Sequence, residues 1–274
     1  MPLPSVPDSF YWTTEPWGAA LRCRALAPLA PHLFTSRQLS LSSEADYEHL
    51  AHSVGVDQVV TVTQVHVAAV ALVRRGAPVP QARPDADVLV SNSPDVAIAV
   101  RAADCVPLLM ADHVTGAVAA VHAGWRGTAA RAAVAAIDAM QREFGTRPAD
   151  LVVAIGPSIG PCCYQVGSEL VDAFAAAGHE RHLIDRWFST PASTEGFGGP
   201  SRGAAGAPRW TQLRLDVAGA NRDQLILAGV PADQIFRAGL CTAEHLDVLT
   251  SFRAEQEKAG RIAGVIGCHS ARSG

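Results

Sequence analysis

The sequence predicts a mixed fold of the α/β or α+β class, with a mixed β-sheet core flanked by helices in a single domain, residues 1–274. The chain is 49% hydrophobic and 18% charged, which is enough apolar sequence for a full core. Val-rich runs such as 96–110 predict strands, whereas the three- to four-residue spacing of apolar residues in 128–144 predicts a helix. Strands come in groups with helices between them, and no fixed repeat is visible, which favours one mixed domain.

The first half of the chain contains most of the predicted strands. Proline and aromatic residues dominate residues 1–20, which we expect to form an extended lead-in. A short helix is predicted at 43–54, where Ser43 and Glu44 precede Leu50 and Val54. The remaining predicted elements are strands at 21–26 and 32–37, one or two within 58–73, and strands at 96–101, 106–110 and 117–122, with a break at 103–105.

The second half alternates between shorter elements and loops. Gly and Pro residues in 156–167 predict a loop between a strand at 150–155 and a helix at 168–177. Residues 181–214 offer little to bury, so we predict a surface loop with its flexible part at 189–208. The last predicted elements are a helix at 215–228, ended by Gly229 and Pro231, and strands at 235–242, 248–253 and 261–266.

Charge and composition exclude several classes of function. The formal net charge of −4 makes general binding to nucleic acid or to an anionic membrane unexpected. No apolar run is long enough to span a bilayer, and the first residues lack the pattern of a signal peptide, so we expect a cytoplasmic protein. In a reducing compartment, the six scattered cysteines are free thiols or metal ligands and not a disulfide framework.

The segment 118–127, VAAVHAGWRG, is a candidate functional turn. It begins as a strand, ends among glycines and is followed by a predicted helix, whose first N–H groups favour an anion. His122 and Arg126 lie at this turn, and Arg126 is therefore the preferred candidate for binding phosphate. The alternative is a buried histidine beside a packed tryptophan.

His66, Cys105 and His122 are candidate metal ligands. Cys and His are the ligands that zinc prefers, and three protein ligands with an open fourth position are typical of a catalytic site. A strand pair over 96–110 followed by the strand at 117–122 would bring Cys105 near His122. The same donors would suit copper, and the same residues could instead form a cysteine nucleophile with a histidine base.

Further polar residues are candidates for substrate binding and proton transfer. Asp104 and Asp87 could orient a histidine or transfer protons, and Asp104 could simply cap a turn. Cys163 and its neighbour Cys162 could line the pocket or simply pack. Bidentate binding of phosphate or carboxylate is possible for Arg37, Arg101, Arg126 and Arg253, although surface or ion-pair roles are also open for all but Arg126.

Several motifs resemble those of the YfiH/laccase-domain family, over roughly residues 20–267. Members of this family have been called polyphenol oxidases, peptidoglycan editing factors and purine nucleoside phosphorylases. The matching motifs are LFTSR at 33–37, QVH at 64–66, ADVLVSN at 86–92, RAADCVPLLMAD at 101–112, HAGWRG at 122–127, GPSIGPCCYQV at 156–166, SFR at 251–253 and AGRIAGVI at 259–266.

The resemblance implies a fold, a metal and an activity. It implies a single-domain fold with a mixed sheet, and one zinc ion bound by His66, Cys105 and His122. It also implies phosphorolysis of adenosine, inosine and methylthioadenosine, and deamination of adenosine, so purine nucleosides and phosphate are the expected partners. The chain departs from the family at residues 38–43, which lack the usual GG-x-S segment and Asn-Leu-Gly loop, and at 189–208, which is longer than usual.

Four other functions are alternatives for the same residues. A copper-dependent polyphenol oxidase would contain copper and consume oxygen. A metal-free cysteine hydrolase would be inactivated by alkylation of Cys105 and would tolerate chelators. Editing of peptidoglycan precursors could use the same pocket, and a nucleoside-binding module would bind without turnover.

Overall fold

Two six-stranded mixed sheets face each other in the protein, and helices cover their outer surfaces. The computed structural model describes residues 3–79, 82–190 and 213–269. The first sheet has the strand order β1-β2-β3-β15-β7-β4, in which only the β4–β7 pair is parallel. Its strands are β1 (Phe10–Glu15), β2 (Gly18–Cys23), β3 (His32–Thr35), β4 (Gln58–Val60), β7 (Val96–Ala102) and β15 (Ile262–Gly267).

The second sheet has the order β14-β10-β8-β9-β6-β5 and is also mixed. Its outer pairs, β10 with β14 and β5 with β6, are parallel, and the inner pairs are antiparallel. Its strands are β5 (Val70–Val73), β6 (Val88–Ser91), β8 (Val106–Asp112), β9 (Val118–Ala123), β10 (Leu151–Ile155) and β14 (Ile235–Arg237).

A small third sheet and seven helices complete the described part of the chain. The third sheet has the order β11-β13-β12. These elements are β11 (Gln165–Val166), β12 (Phe188–Ser189), β13 (Leu213–Leu215), α1 (Glu44–Ser53), α2 (Trp125–Ala129), α3 (Ala132–Phe144), α4 (Glu169–Ala176), α5 (Arg181–Trp187), α6 (Val217–Leu227) and α7 (Phe252–Glu255), with 3₁₀ turns at Pro148–Asp150, Ala232–Gln234 and Gln256–Lys258.

Strand β8 shows why the second sheet lies between two apolar layers. Successive side chains of a strand point to opposite faces. Leu109 and Ala111 pack in the core between the two sheets, whereas Val106, Leu108 and Met110 pack in a second core with α3 and α6. Every residue of β8 is buried, so its sequence lacks the polar alternation of a half-exposed strand.

The predicted fold class and mixed sheet core are confirmed. The predicted short helix begins with Ser43 as its N-cap, and Asp46 completes a capping box. The helix predicted over 128–144 is interrupted, because α2 ends at Ala129 and Arg131 adopts a left-handed backbone with φ of 59°. The turn at 118–127 therefore leads into α2, a helix of only five residues, and not into the long helix whose first N–H groups were expected to favour an anion.

Two predicted elements were wrong in type. Residues 10–20, the second half of the lead-in predicted at 1–20, are not extended lead-in, because β1 and β2 pair as a hairpin whose turn uses Gly18 at φ of +138°. The strand predicted at 248–253 is not formed: residues 248–251 belong to a turn and loop, and Ser251 caps α7 by accepting a hydrogen bond from the Ala254 N–H.

The loop predicted over 181–214 begins as ordered structure. Leu183, Ile184 and Trp187 of α5 are buried, and β12 follows directly. Residues 191–212, which include most of the predicted flexible loop at 189–208, lie outside the described residues. In the described part of the chain, none of the helices combines the length and apolar character needed to cross a membrane.

His32 of β3 is a buried histidine held by backbone hydrogen bonds. Its Nε2 accepts the Cys23 N–H at 2.9 Å, so its Nδ1 carries the proton and donates to the Ala30 carbonyl at 2.9 Å. Burial lowers the pKa of His32 to about 4 and outweighs the backbone hydrogen bonds, while the nearby Arg22 lowers it further. The folded protein therefore keeps His32 neutral at a pH where the unfolded chain, with a pKa of about 6.5, binds a proton.

We expect this difference to make the protein less stable as the pH falls from about 6.5 towards 4. Between pH 7 and pH 5 the loss from His32 alone is roughly 2 kcal/mol. His32→Gln keeps an acceptor near the Cys23 N–H but cannot be protonated. Urea unfolding at both pH values should show a smaller acid loss for this variant than for the wild type, and equal losses would contradict the assignment.

Candidate functional site

Three side chains from different parts of the chain meet at one end of the second sheet. His66 lies in the loop between β4 and β5, Cys105 in the turn between β7 and β8, and His122 near the end of β9. Pairing of β8 with β9 places Pro107 opposite His122, which brings the preceding turn beside that histidine. One nitrogen or sulfur atom of each residue lies within 4.8 Å of the others. The three candidate ligands are therefore close enough to share one cation.

Asp87 orients His122 from behind. The Oδ1 atom of this fully buried carboxylate lies 2.7 Å from His122 Nδ1, and its Oδ2 accepts the N–H groups of Val65 and Val67 at 3.2 and 2.8 Å. The carboxylate holds the proton on Nδ1, so Nε2 is the atom free to bind a cation. The same carboxylate also fixes the backbone on both sides of His66.

The ionisation of this group follows from these contacts. Burial alone would raise the pKa of Cys105, but hydrogen bonds with His122 and His66 lower it to about 6. Burial would lower the pKa of His122, yet its hydrogen bonds with Asp87 and Cys105 raise it to about 9. Near neutral pH the protein without a metal therefore holds a thiolate beside a protonated imidazole, and a cation would displace that proton.

Gln64 fastens the His66 loop to the first sheet. Its side-chain amide donates to the Arg101 carbonyl at 2.7 Å and accepts the Arg101 N–H at 2.8 Å. His66 itself has a φ of 63°, which is uncommon for a residue other than glycine. The paired hydrogen bonds and the Asp87 contacts together hold this backbone in place.

Asp104 connects the Cys105 turn to the C-terminal part of the chain. Its carboxylate accepts the Thr242 hydroxyl and the Arg253 N–H, each at 2.6 Å, and its carbonyl accepts the Ile159 N–H at 2.9 Å. Asp104 has a φ of 85°, so the turn is held in an unusual conformation. Three segments distant in sequence are thereby fixed around Cys105.

A cavity of about 480 Å³ opens over the three candidate ligands. This volume lies within the range of about 300–1,000 Å³ typical of small-molecule sites. Its wall combines cationic, amide and aromatic side chains. The lining residues used below are Gln64, Arg101, Asp104, Trp125, Tyr164, Phe252, Arg253 and Arg261.

The other predicted site residues lie outside this cavity. Arg126 is exposed on α2 and stacks on the Trp125 ring at 4.3 Å, whereas Arg101 lines the cavity, so the preference for Arg126 as the phosphate ligand is not supported by its position. Arg37 pairs with Glu255 at 2.8 Å and donates to the Leu246 carbonyl, which occupies its guanidinium. Asp87 is buried behind His122. Cys163 lies with Cys162 and Cys241 in a separate group.

The sequence reasoning missed several residues of the cavity wall. Tyr164, Phe252 and Arg261 line it, although none was a candidate. Arg253 stacks on the Tyr164 ring at 5.3 Å and donates to the Gln165 carbonyl at 2.9 Å. The feature of the sequence that indicates this wall is Tyr164, an aromatic residue within the Gly- and Pro-rich loop 156–167.

The comparisons with known proteins agree with this geometry. Residues 40–269 match the family described as multi-copper polyphenol oxidoreductase laccase. The chain is 36% identical over 183 residues to a protein of Bacteroides thetaiotaomicron named purine nucleoside phosphorylase, across 67% of this chain and 61% of that protein. It is 33% identical over 180 residues to a protein named adenosine deaminase RL5, from an unknown prokaryotic organism, across 65% of this chain and 61% of that protein.

A solved structure shows the same fold. The crystal structure of YlmD from Geobacillus stearothermophilus superposes with a TM-score of 0.75 and 29% identity, covering 96% of this chain and all of that one. The matched region spans about three fifths of the length of the two named relatives, at 61% of each.

The thiolate character of Cys105 can be measured directly. In metal-depleted protein, iodoacetamide should alkylate Cys105 at pH 7 before the other cysteines, because most of its thiol is ionised there. His122→Asn removes a protonated partner and should slow this alkylation at least about tenfold. Peptide mapping by mass spectrometry gives the rates, with the buried Cys268 as an internal control. Alkylation of Cys105 at the same rate in both proteins would contradict the thiolate–imidazolium pair.

Proposed function

Because the chain belongs to the multi-copper polyphenol oxidoreductase laccase family, we propose that it is an enzyme that cleaves purine nucleosides with phosphate and requires zinc. The observation that carries this proposal is the group of three donors, His66, Cys105 and His122, at the base of a cavity with arginine and aromatic walls. The name of the Bacteroides thetaiotaomicron relative, purine nucleoside phosphorylase, supports the same reaction. Adenosine, inosine and methylthioadenosine are the proposed substrates.

The three donors fit a zinc ion by their chemistry and surroundings. Imidazole nitrogen and thiolate sulfur suit zinc, and the Asp87–His122 hydrogen bond is the outer contact that such histidines usually make. Gly124 leaves room beside them, because a Cβ atom there would lie 2.7 Å from Cys105 Sγ. Zinc held by these residues would supply a Lewis acid that withdraws electrons from a substrate oxygen or nitrogen.

The cavity wall supplies groups for both substrates. Aromatic rings of Trp125, Tyr164 and Phe252 offer faces against which a purine can stack. Guanidinium groups of Arg101 and Arg253, which line the same cavity, can neutralise a phosphate dianion. Among the described residues, no hydrogen-bond or ion-pair partner is found for the Arg101 guanidinium, which leaves it available for an anion.

Phosphorolysis then requires that the phosphate and the nucleoside be positioned together and that the departing purine receive a proton. A phosphate oxygen bonds to ribose C1′ while the C1′–N9 bond breaks, and its electron pair leaves with the purine, which gains a proton. Asp104 lines the cavity and is better placed for proton transfer than Asp87, which is buried behind His122. The role of Asp87 in this proposal is to orient His122.

Adenosine deamination is a second proposed activity of the same cavity. One relative carries the name adenosine deaminase, and Asp104 could transfer a proton to the leaving ammonia as water replaces the amino group.

The six free thiols also agree with the reducing cytoplasm as the place of action.

The decisive experiment measures metal content and turnover together. Purified protein should contain about one zinc per cavity site, and should convert inosine to hypoxanthine and ribose 1-phosphate only when phosphate is present. With adenosine, adenine reports phosphorolysis and inosine reports deamination. His122→Ala should lose this zinc and at least about 100-fold in turnover. Full turnover by a zinc-free variant would refute the proposal, whereas copper with oxygen uptake would favour an oxidase.

Two arginines provide a matched test of phosphate binding. Arg101→Gln should raise the KM for phosphate at least about tenfold, because it removes a cation from the cavity wall, and should change the KM for nucleoside less. Arg126→Gln, on the exposed surface of α2, should leave both constants within about twofold. Steady-state kinetics with each substrate varied in turn gives the answer, and a larger effect at Arg126 would reverse the assignment.

A further inference from the structure

A second group of sulfur atoms lies apart from the cavity described above. The thiols of Cys162, Cys163 and Cys241 are all within 4.8 Å of one another. None of the three residues lines the larger cavity. Neither zinc binding by the histidines nor nucleoside cleavage uses this group.

The backbone holds the three thiols together. Cys162 and Cys163 lie in the turn that follows Gly160, and the Cys163 N–H donates to the Gly160 carbonyl at 3.0 Å. Cys241 follows β14 and forms an isolated parallel bridge with Ser158. The Gly160 N–H donates to Cys241 Sγ at 3.2 Å. The hydrogen bonds that anchor the loop 156–167 therefore also hold the three sulfur atoms close together.

An oxygen donor is close to the sulfur atoms. A smaller cavity of about 180 Å³ is lined by Cys162, Cys241 and Glu244. The Glu244 carboxylate therefore shares this cavity with the sulfur atoms of Cys162 and Cys241. Arg237 also lines this cavity, but its charge is matched by Asp216 at 3.0 Å.

We propose that Cys162, Cys163, Cys241 and Glu244 form a second zinc site. Three thiolates and one carboxylate supply the four ligands of a closed, tetrahedral structural site. Binding would form three Zn–S bonds and release the three thiol protons to solvent. Cys162 is exposed, which gives the ion a path from solvent.

A disulfide explains the same thiols less well. A bridge uses two sulfur atoms and leaves the third unexplained, and adjacent cysteines such as Cys162 and Cys163 bridge each other only with strain. It would also require an oxidant in a chain whose six cysteines are free.

A zinc ion here would stiffen one wall of the larger cavity. Ile159 and Tyr164, on either side of the 160–163 turn, line that cavity, and the Ile159 N–H donates to the Asp104 carbonyl. Zinc would cross-link this turn to Cys241. Both sites therefore share one loop, although each has its own ligands.

The test uses the full-length chain with the first site removed. A His66→Ala, His122→Ala double variant, reduced and freed of metal, should bind one equivalent of Zn²⁺ in equilibrium dialysis against zinc alone. Adding Cys241→Ser should weaken this binding at least about tenfold, because one of four ligands is lost. Adding Cys268→Ser, a buried cysteine outside the group, should change it less than twofold. Co²⁺ should give thiolate-to-metal charge-transfer absorption that decreases with Cys241→Ser and is unchanged with Cys268→Ser.

The outcomes separate this proposal from the proposed enzymatic function. Cys162→Ser, at an exposed position, replaces Cys241→Ser if the latter fails to fold. No bound zinc in the double variant, or binding that is unchanged without Cys241 or Cys162, would overturn the second site. So would a Cys162–Cys241 disulfide that forms in air and excludes zinc. None of these results depends on turnover of nucleosides.

Discussion

The site depends on the hydrogen bonds that the buried carboxylate of Asp87 makes. A buried charge is costly unless it is paired and hydrogen-bonded. Asp87 meets both conditions, because it binds His122 through one oxygen and the backbone N–H groups of Val65 and Val67 through the other. One side chain therefore positions two of the three candidate ligands, His122 directly and His66 through its loop. The removal of any of these partners would leave a charge without compensation in the core.

The two sheets provide the rigid support, and loops at their ends provide the chemistry. Strands such as β8 are buried on both faces and carry no polar groups of their own except at their ends. Polar residues of the site therefore lie at strand ends, as Arg101 and His122 do, or in turns, where the side chains of Gln64 and Asp104 hydrogen-bond to neighbouring segments. This arrangement explains how His66 and Asp104 keep uncommon backbone angles within an ordered site.

The sequence was sufficient for the fold class, for strands β7, β8, β9 and β10, and for the identity of the three clustered donors. Periodicity identifies a strand wherever burial is uniform, and the turn at 103–105 was visible between two such runs. The sequence did not reveal contacts between distant segments, such as the hydrogen bonds that Asp104 accepts from Thr242 and Arg253, because no local pattern encodes them. The same limit applies to the cavity wall. Arg126 has the more suggestive neighbours in sequence, yet tertiary packing brings Arg101 to the cavity instead.

The surroundings of the three donors distinguish a substrate site from an electron-transfer site. Two imidazoles and a thiolate could also hold copper, as in centres that add a weak axial methionine. Met110 of β8 and Met140 of α3 are both buried in the same apolar core, and neither lines the cavity. The side of the donors that faces the cavity instead meets Arg101, Arg253 and aromatic rings. The proposed nucleoside phosphorolysis requires a cation that neutralises phosphate and a face for a flat heterocycle, and this wall offers both kinds of side chain.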